Sequence, residues 1–322
     1  MIVPGLILGI ALLIAGGTAL VHGASQVASR LGISPMVVGL TVVAFGTSTP
    51  ELVVNVLGVL RGETALAFGN VVGSNIANIA LVLGASALVR PVALQSCVVQ
   101  REVPLLLLAS VALTVMALDV PSLGLEGIIS GTESVLLLGL FGVFLTLSAR
   151  SVLRSRDEEP LFAGVENSPL SVYATPGRFG WLYVAGGIVL LYVGGDVTVR
   201  FAVELATSLG LSIAIIGLLV VAVGTSMPEL VTSVIAALRD ESDLALGNVV
   251  GSNIFNALFV LPVSSLAGAI PVPRHGVADL LFSLALAAVL VPVFFLGEAR
   301  LGRVIGSALL ITYVLWALLR LA

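Results

Sequence analysis

Two stretches of this sequence are nearly the same: GLTVVAFGTSTPELVVNV at residues 39–56 and GLLVVAVGTSMPELVTSV at residues 217–234. They align without gaps and share 13 of 18 residues. A second pair, LAFGNVVGSNIANI at 66–79 and LALGNVVGSNIFNA at 244–257, shares 11 of 14 residues at the same offset of 178. Apolar composition alone cannot place matching Gly, Pro, Glu and Asn in register, so one internal duplication explains both pairs.

The composition around these repeats is that of a membrane protein. Hydrophobic residues make up 58% of the 322 residues and charged residues 10%, and the mean hydropathy is +1.19. A hydrocarbon core about 30 Å thick takes roughly 20 apolar residues per crossing helix. The sequence therefore predicts an all-α polytopic membrane protein with about ten transmembrane helices. The expected spans are residues 3–22, 36–60, 64–88, 103–118, 133–150, 181–200, 212–238, 243–268, 278–296 and 303–321.

Five helices in each half is an odd number, so the second repeat must enter the membrane from the opposite side. The sequence predicts two inverted five-helix repeats, residues 1–150 and 181–322, joined by a cytoplasmic linker at residues 151–180. With both termini outside, ten of the 14 arginines fall in cytoplasmic loops, which agrees with the positive-inside rule. We expect an integral protein of the cytoplasmic (inner) cell membrane.

Glu51 and Glu229 occupy matching positions inside long apolar segments. A charged side chain at the centre of a membrane helix costs about 2.5–3.5 kcal/mol, so two matched carboxylates indicate a function. Pro50 and Pro228 stand directly before them, where each proline removes a backbone donor. The helices should therefore open at these points and free backbone carbonyls, which is tolerated at membrane depth where the backbone lines a cavity.

Further oxygen donors share the same helix faces. A threonine stands four residues before each glutamate, and a Ser-x-x-x-Asn pair follows in the next helix of each half. These residues are Thr47, Ser74, Asn78, Thr225, Ser252 and Asn256, and the freed carbonyls are expected at residues 44–47 and 222–225. Such oxygens suit Ca²⁺, Na⁺ or Mg²⁺ rather than Zn²⁺ or Cu, and a flexible cage of six to eight favours Ca²⁺ over Mg²⁺. Two carboxylates balance one Ca²⁺ or two Na⁺, so one site can alternate between these ions.

Small and amide residues in the same motifs have a different interpretation. Glycines at four-residue spacing predict close packing between membrane helices; they are Gly69, Gly73, Gly247 and Gly251. The remaining asparagines are interpreted as residues that hold the broken helices together; they are Asn70, Asn75, Asn248 and Asn253.

The motifs GTSTPEL and GNVVGSNIAN, repeated as GTSMPEL and GNVVGSNIFN, resemble those of the Ca²⁺/cation antiporter superfamily, in particular its compact prokaryotic Na⁺/Ca²⁺ exchangers. The resemblance covers both repeats. It implies ten helices, transport of Ca²⁺ and Na⁺ by alternating access, and no cofactor. The ion ligands it implies are Ala44, Thr47, Ser48, Glu51, Ser74, Asn78, Ala222, Thr225, Ser226, Glu229, Ser252 and Asn256. Asn256 stands where some relatives carry Asp, which disfavours K⁺ dependence.

Three other functions are alternatives to Ca²⁺/Na⁺ antiport for this sequence. A Ca²⁺/H⁺ antiporter could use the same two glutamates as proton carriers. A cation channel is disfavoured because inverted repeats around one carboxylate pair are typical of alternating access. An enzyme is disfavoured because Ser48 and Ser226 have no His or Lys base in their motifs. The expected partners are inorganic cations and the lipid bilayer, and no basic patch indicates nucleic acid.

Overall fold

The computed structural model describes residues 2–94, 101–120, 125–157, 179–209, 222–296 and 300–321. Within these ranges, eight helical segments are long and apolar enough to cross a membrane. Two shorter apolar helices, Val103–Met116 and Met227–Leu238, lie where further spans were expected. The predicted all-α membrane fold with about ten spans is confirmed.

In its described residues, the first half has eight α-helices and π-helical turns between some of them. The helices are α1 (Ile2–Leu31), α2 (Pro35–Val38), α3 (Ala44–Thr47), α4 (Thr49–Leu60), α5 (Thr64–Ala77), α6 (Gly84–Val89), α7 (Val103–Met116) and α8 (Gly131–Asp157). Two π-helical turns lie within the longer helical segments: Gly39–Val43, between α2 and α3, and Asn78–Leu83, between α5 and α6.

The second half repeats this plan. Its helices are α9 (Gly180–Ser208), α10 (Ala222–Thr225), α11 (Met227–Leu238), α12 (Ser242–Phe255), α13 (Leu261–Ala267), α14 (Gly276–Leu296) and α15 (Arg303–Leu321). A π-helical turn, Asn256–Val260, separates α12 from α13. The bounds of α10, α11 and α12 equal those of α3, α4 and α5 shifted by 178 residues, so the duplication in the sequence is also a duplication of helix breaks.

The helices open at the predicted places. Ser48 separates α3 from α4 with φ −88° and ψ 4°, and Ser226 separates α10 from α11 with φ −89° and ψ 8°. In each case a proline lies within the first two positions of the following helix. Proline favours that position and cannot donate to the preceding turn, which accounts for the break.

The breaks lie against the most buried helices of the molecule. In the apolar stretch of Ser242–Ala267, 94% of the residues are buried, and in that of Leu66–Val89, 78% are buried. The corresponding share is 28% in α1, α8 and α9. The outer helices α1 and α9 pack on each other along their length, and an added Cβ on Gly16 would lie 2.7 Å from the backbone N of Leu191. The core therefore consists of α5–α6 and α12–α13, and α1 and α9 form a separate pair beside it.

Short antiparallel strand pairs tie together loops that are distant in sequence. Val92–Ala93 pairs with Arg300–Leu301, and Ile128–Ile129 pairs with Ile270–Pro271. A third pair, Asp119–Val120 with Leu125–Glu126, is local. The two long-range pairs join loops that the predicted topology places on the same side of the membrane.

Two helices extend beyond their predicted membrane spans. The first span was expected to end at residue 22 and its helix continues to Leu31, and α8 continues from the predicted span 133–150 to Asp157, into the segment predicted as a linker. Loss of apolar residues marks where a helix leaves the hydrocarbon layer, whereas polar residues such as Gln26 and Arg30 still form helix beyond it. Residues 158–178 of the predicted linker and residues 212–221 of the seventh predicted span lie outside the described residues.

Candidate cation site

The two glutamates lie in the first turns of the helices that follow the breaks. Glu51 on α4 and Glu229 on α11 are each 1% exposed. A helix N-terminus favours a carboxylate, and the short helix before each break ends in carbonyl groups that favour a cation. Each helix break therefore places an anionic side chain close to the carbonyl dipoles at the end of the preceding short helix.

The two halves meet at these glutamates. The Ser48 hydroxyl donates to Oε1 of Glu229 at 3.1 Å, so a residue of the first break contacts the carboxylate of the second. In both glutamates, the carboxylate oxygen Oε2 of Glu51 and of Glu229 is buried without a hydrogen-bond partner among the described residues. Buried ionisable oxygens of this kind are costly unless a cation or proton compensates them.

The predicted ligands share this pattern of burial and missing partners. Nine of the ten side chains are buried, and Thr225 is half-buried. Among these ligands, buried polar atoms without a partner in the described part of the chain occur on Glu51, Ser74, Asn78, Ser226, Glu229, Ser252 and Asn256. Most buried polar groups in proteins are hydrogen-bonded, so this concentration of unpaired oxygens indicates a place for a ligand that supplies positive charge.

A scaffold of amides holds the breaks against the neighbouring helices. Thr47 donates to Oδ1 of Asn248 at 3.1 Å, and Asn248 in turn donates to Oγ of Ser233 at 2.9 Å. The matching contacts of the other half run from Thr225 to Asn70 at 3.4 Å and from Asn70 to Oδ1 of Asn55 at 2.8 Å. The asparagines thus fix the hydroxyls that flank the site.

Asn75 and Asn253 form a reciprocal pair at the centre of the molecule. Asn253 donates to the backbone carbonyl of Asn75 at 3.1 Å, and Asn75 donates to that of Asn253 at 3.4 Å. Because these residues are repeat partners, the pair relates one half to the other. The interpretation of these asparagines as structural residues therefore agrees with the hydrogen bonds in the structure.

Two hydrogen bonds break the symmetry between the halves. The Ser48 hydroxyl donates to Glu229, but the hydroxyl of its repeat partner Ser226 has no hydrogen-bond partner among the described residues. Asn78 donates to Oδ1 of Asn253 at 3.0 Å, whereas both amide atoms of its repeat partner Asn256 are unpaired there. In both cases a side chain of the first half donates a hydrogen bond to the second half, and its repeat partner donates none to the first half within the described residues.

One of the two expected backbone ligands differs from the expectation. The Ala44 carbonyl already accepts from the Ser48 N–H at 3.0 Å and from the Thr47 hydroxyl at 3.4 Å, so the expectation of a freed carbonyl was wrong there. The helix opens after Ala44, but its last turn still closes on this oxygen. Ala222 is the first residue of α10.

The glycine motif packs closely in the second half. An added Cβ on Gly251 would lie 2.4 Å from the Leu40 carbonyl oxygen, and one on Gly247 would lie 2.6 Å from that of Met36. Among the described residues, a Cβ on Gly69 would meet nothing within 4 Å and one on Gly73 would meet Trp316 at 3.9 Å. Gly247 and Gly251 therefore press α12 onto the helix that carries Ala44 and Thr47.

Sequence reasoning missed two features of this site. Asn78 and Asn256 each begin a π-helical turn, which widens the helix where the predicted ligand stands. The residues Asn55, Thr232 and Ser233 were also overlooked, although polar residues within apolar helices, three or four positions after a buried glutamate, are a detectable signal.

Comparison with known proteins places this geometry in a family. The family model described as sodium/calcium exchanger protein matches residues 1–150 and 179–322. CaxA, a candidate antiporter of Alkalimonas amylolytica, is 37% identical over 240 residues, covering 74% of this chain and 72% of that protein. Sodium/calcium exchanger MaX1 of Methanosarcina acetivorans is 45% identical over 80 residues, covering 25% of this chain and 23% of that protein.

A solved structure resembles the whole chain. The sodium-calcium exchanger NCX_Mj soaked with 10 mM Na⁺ superposes with a TM-score of 0.80 and 29% identity, over 98% of each chain. The family model, the relatives and the shared fold agree with the resemblance that the two sequence motifs carry. The chain belongs to the sodium/calcium exchanger protein family.

Proposed function

We propose that the space between the two helix breaks binds Ca²⁺ and Na⁺ alternately in this antiporter of Ca²⁺ and Na⁺. The observation that carries the proposal is the buried pair Glu51 and Glu229, each with a carboxylate oxygen left without a partner among the described residues. In an apolar environment, two such groups are stabilised when a cation binds between them.

Charge decides how the ions compete. The two carboxylates are neutralised equally by one Ca²⁺ or by two Na⁺, so the electrostatic requirement of the site is met by either ion. Neutral oxygens complete the coordination and provide room for a further Na⁺ at the edge of the cluster. Carboxylate, hydroxyl, amide and carbonyl oxygens are the ligands of hard cations.

The ligands fall into three groups by their present contacts. Oxygens without a partner among the described residues are ready to bind an ion; they belong to Glu51, Ser74, Asn78, Ser226, Glu229, Ser252 and Asn256. Hydroxyls that now donate elsewhere can still offer a lone pair; they belong to Thr47, Ser48 and Thr225. The backbone carbonyls of Ala44 and Ala222 would complete the shell, and the Ala44 carbonyl would then exchange its 3.4 Å contact with Thr47 for the ion.

The unequal hydrogen bonds support alternating access. Ser48 and Asn78 reach across to the second half, whereas Ser226 and Asn256 do not reach across to the first. Inverted repeats let a transporter interchange the conformations of its two halves around one fixed site. In the opposite state we expect Ser226 to donate to Glu51 and Asn256 to donate to Asn75.

The proposed arrangement in the membrane follows from the arginine distribution. We infer two inverted repeats, residues 1–150 and 181–322, connected on the cytoplasmic side by residues 151–180, with both termini outside the cell. The membrane is expected to be the cytoplasmic membrane. The activity is the movement of inorganic cations across the bilayer without chemical conversion, so no catalytic residue is assigned.

Equilibrium Ca²⁺ binding to the purified protein tests the site. Glu51→Gln and Glu229→Gln each remove one of two negative charges while keeping the side-chain shape, and each should abolish measurable Ca²⁺ binding in calorimetric titrations. Thr114→Val is the matched control, because the Thr114 hydroxyl donates to its own helix at the Ser110 carbonyl. Near wild-type affinity in either glutamate variant would remove that residue from the site.

A further inference from the structure

Serine and threonine hydroxyls on the helices of this protein commonly bond to a carbonyl one turn earlier. Ser86 donates to the Val82 carbonyl at 2.8 Å, Thr114 to that of Ser110 at 2.7 Å, and Ser264 to that of Val260 at 2.7 Å. This contact satisfies a hydroxyl in an apolar environment without any partner from another helix.

Four buried hydroxyls near the two glutamates depart from this pattern. Ser74, Ser226, Thr232 and Ser252 are 3% exposed or less, and none has a hydrogen-bond partner among the described residues. Three of them belong to the proposed ion ligands. Thr232 is the fourth, and neither the repeat motifs nor the proposed site accounts for it.

Thr232 lies on the same face of its helix as Glu229. It follows Glu229 by three residues, and this spacing places the two side chains one turn apart along α11. Its backbone passes beside α1, because an added Cβ on Gly17 would lie 3.6 Å from the Thr232 nitrogen. Thr232 therefore lies one turn beyond Glu229, towards the end of α11 that the proposed topology places on the cytoplasmic side.

The first half has no equivalent of this hydroxyl. The repeat partner of Thr232 is Val54, an apolar residue that is 40% exposed. The oxygen at position 232 is thus present in one half alone. A hydroxyl that is fully buried, lacks its usual contact within the helix and lies one turn from a buried carboxylate is suited to bind a cation.

We propose that the Thr232 hydroxyl is an additional ligand for the transported cation, one turn from Glu229 on the route towards the cytoplasm. This inference rests on the proposed function, since it adds one oxygen to the ligands around Glu229. It assigns the second half an oxygen that the first half lacks, and so makes the two ends of the route chemically unequal.

Calorimetric Ca²⁺ titration of Thr232→Val tests the proposal, because valine keeps the shape of threonine and removes the oxygen. Loss of one neutral ligand should weaken Ca²⁺ binding by about three- to tenfold. Thr232→Ser should retain wild-type affinity, and Thr114→Val, which removes a hydroxyl bonded within its own helix, should have no effect.

Thermal unfolding of each variant shows whether the fold is intact, and Thr232→Ala takes the place of Thr232→Val if the valine variant does not fold. Unchanged Ca²⁺ affinity in the folded variant that lacks the hydroxyl would overturn the inference. Glu229→Gln in the same titration distinguishes a failure of the Thr232 assignment from a failure of the proposed cation site. Lost binding there together with unchanged binding in Thr232→Val would refute the role of Thr232 alone, whereas retained binding in Glu229→Gln would refute the site itself.

Discussion

Gly251→Ala should displace α12, which carries the proposed ligand Ser252 and leads directly into Asn256. The added Cβ would lie 2.4 Å from the Leu40 carbonyl oxygen, 2.8 Å from Leu40 Cα and 2.8 Å from the Ala44 Cβ. None of these atoms belongs to a flexible side-chain end. A normal carbon–oxygen contact is about 3.3–3.6 Å, so α12 and the Leu40–Ala44 backbone must separate by about 1 Å.

A separation of this size has two measurable consequences. Overpacking of this kind costs about 1–3 kcal/mol, which corresponds to a fall in melting temperature of roughly 2–10 °C. The same movement would stretch the 3.1 Å contact between Thr47 and Asn248 beyond hydrogen-bonding distance and shift Ser252, the residue after Gly251. We therefore expect weaker Ca²⁺ binding as well as lower stability.

Thermal unfolding in detergent and Ca²⁺ titration of the same preparation check this prediction. Gly142→Ala is the matched control, because Gly142 lies on α8 with nothing described within 4 Å of the added Cβ. That variant should melt no lower than the wild type, since alanine favours helix over glycine. If Gly251→Ala melts and binds Ca²⁺ like the wild type, the close approach of α12 to Leu40 is refuted.

Three further predictions concern the ligands, the transport cycle and the loop before α12. Thr47→Val and Thr225→Val should each weaken Ca²⁺ binding by about three- to tenfold, less than the glutamate variants, because each removes one neutral oxygen; larger losses than in the glutamate variants would invert the ligand ranking. Ca²⁺ uptake by Na⁺-loaded vesicles should respond to an imposed K⁺ diffusion potential, because a charge crossing the membrane is worth about 2.3 kcal/mol per 100 mV; uptake that ignores voltage would contradict net charge movement. Burial raises the pKa of Glu241, although the Ser25 hydroxyl donates to its carboxylate at 2.9 Å. The stability that protonated Glu241 contributes is therefore present at acidic pH and is lost as the pH rises through this raised pKa. Glu241→Gln should thus melt higher than the wild type at pH 8 and no higher near pH 4, and a constant difference across this range would exclude the titration of Glu241.

The sequence predicted the fold and the helix breaks because both depend on local signals. Apolar runs gave the spans, and the repeated Pro-Glu dipeptides gave the positions of Ser48 and Ser226, where the helices open. A proline acts on its own preceding turn, so no tertiary information is needed to locate the break. The inverted arrangement followed from the odd number of spans in each half.

Other features depend on contacts that no single segment encodes. The Ser48 hydroxyl has Glu229 as its partner across 181 residues, while Ser226 in the same local motif has no described partner. Nearly identical motifs thus have different contacts because the two halves pack differently. The π-helical turns at Asn78 and Asn256 also lacked a local signal, since they depend on packing against the opposite half.

Flux through reconstituted protein tests the central claim most directly. Vesicles loaded with Na⁺ and diluted into Na⁺-free buffer should accumulate ⁴⁵Ca²⁺ through the wild-type protein, and vesicles that contain Glu51→Gln or Glu229→Gln should not. Accumulation that requires the outward Na⁺ gradient and both carboxylates is the result we predict. Uptake that ignores Na⁺ and follows an imposed pH gradient, or that persists without either glutamate, would contradict Ca²⁺/Na⁺ exchange at this site.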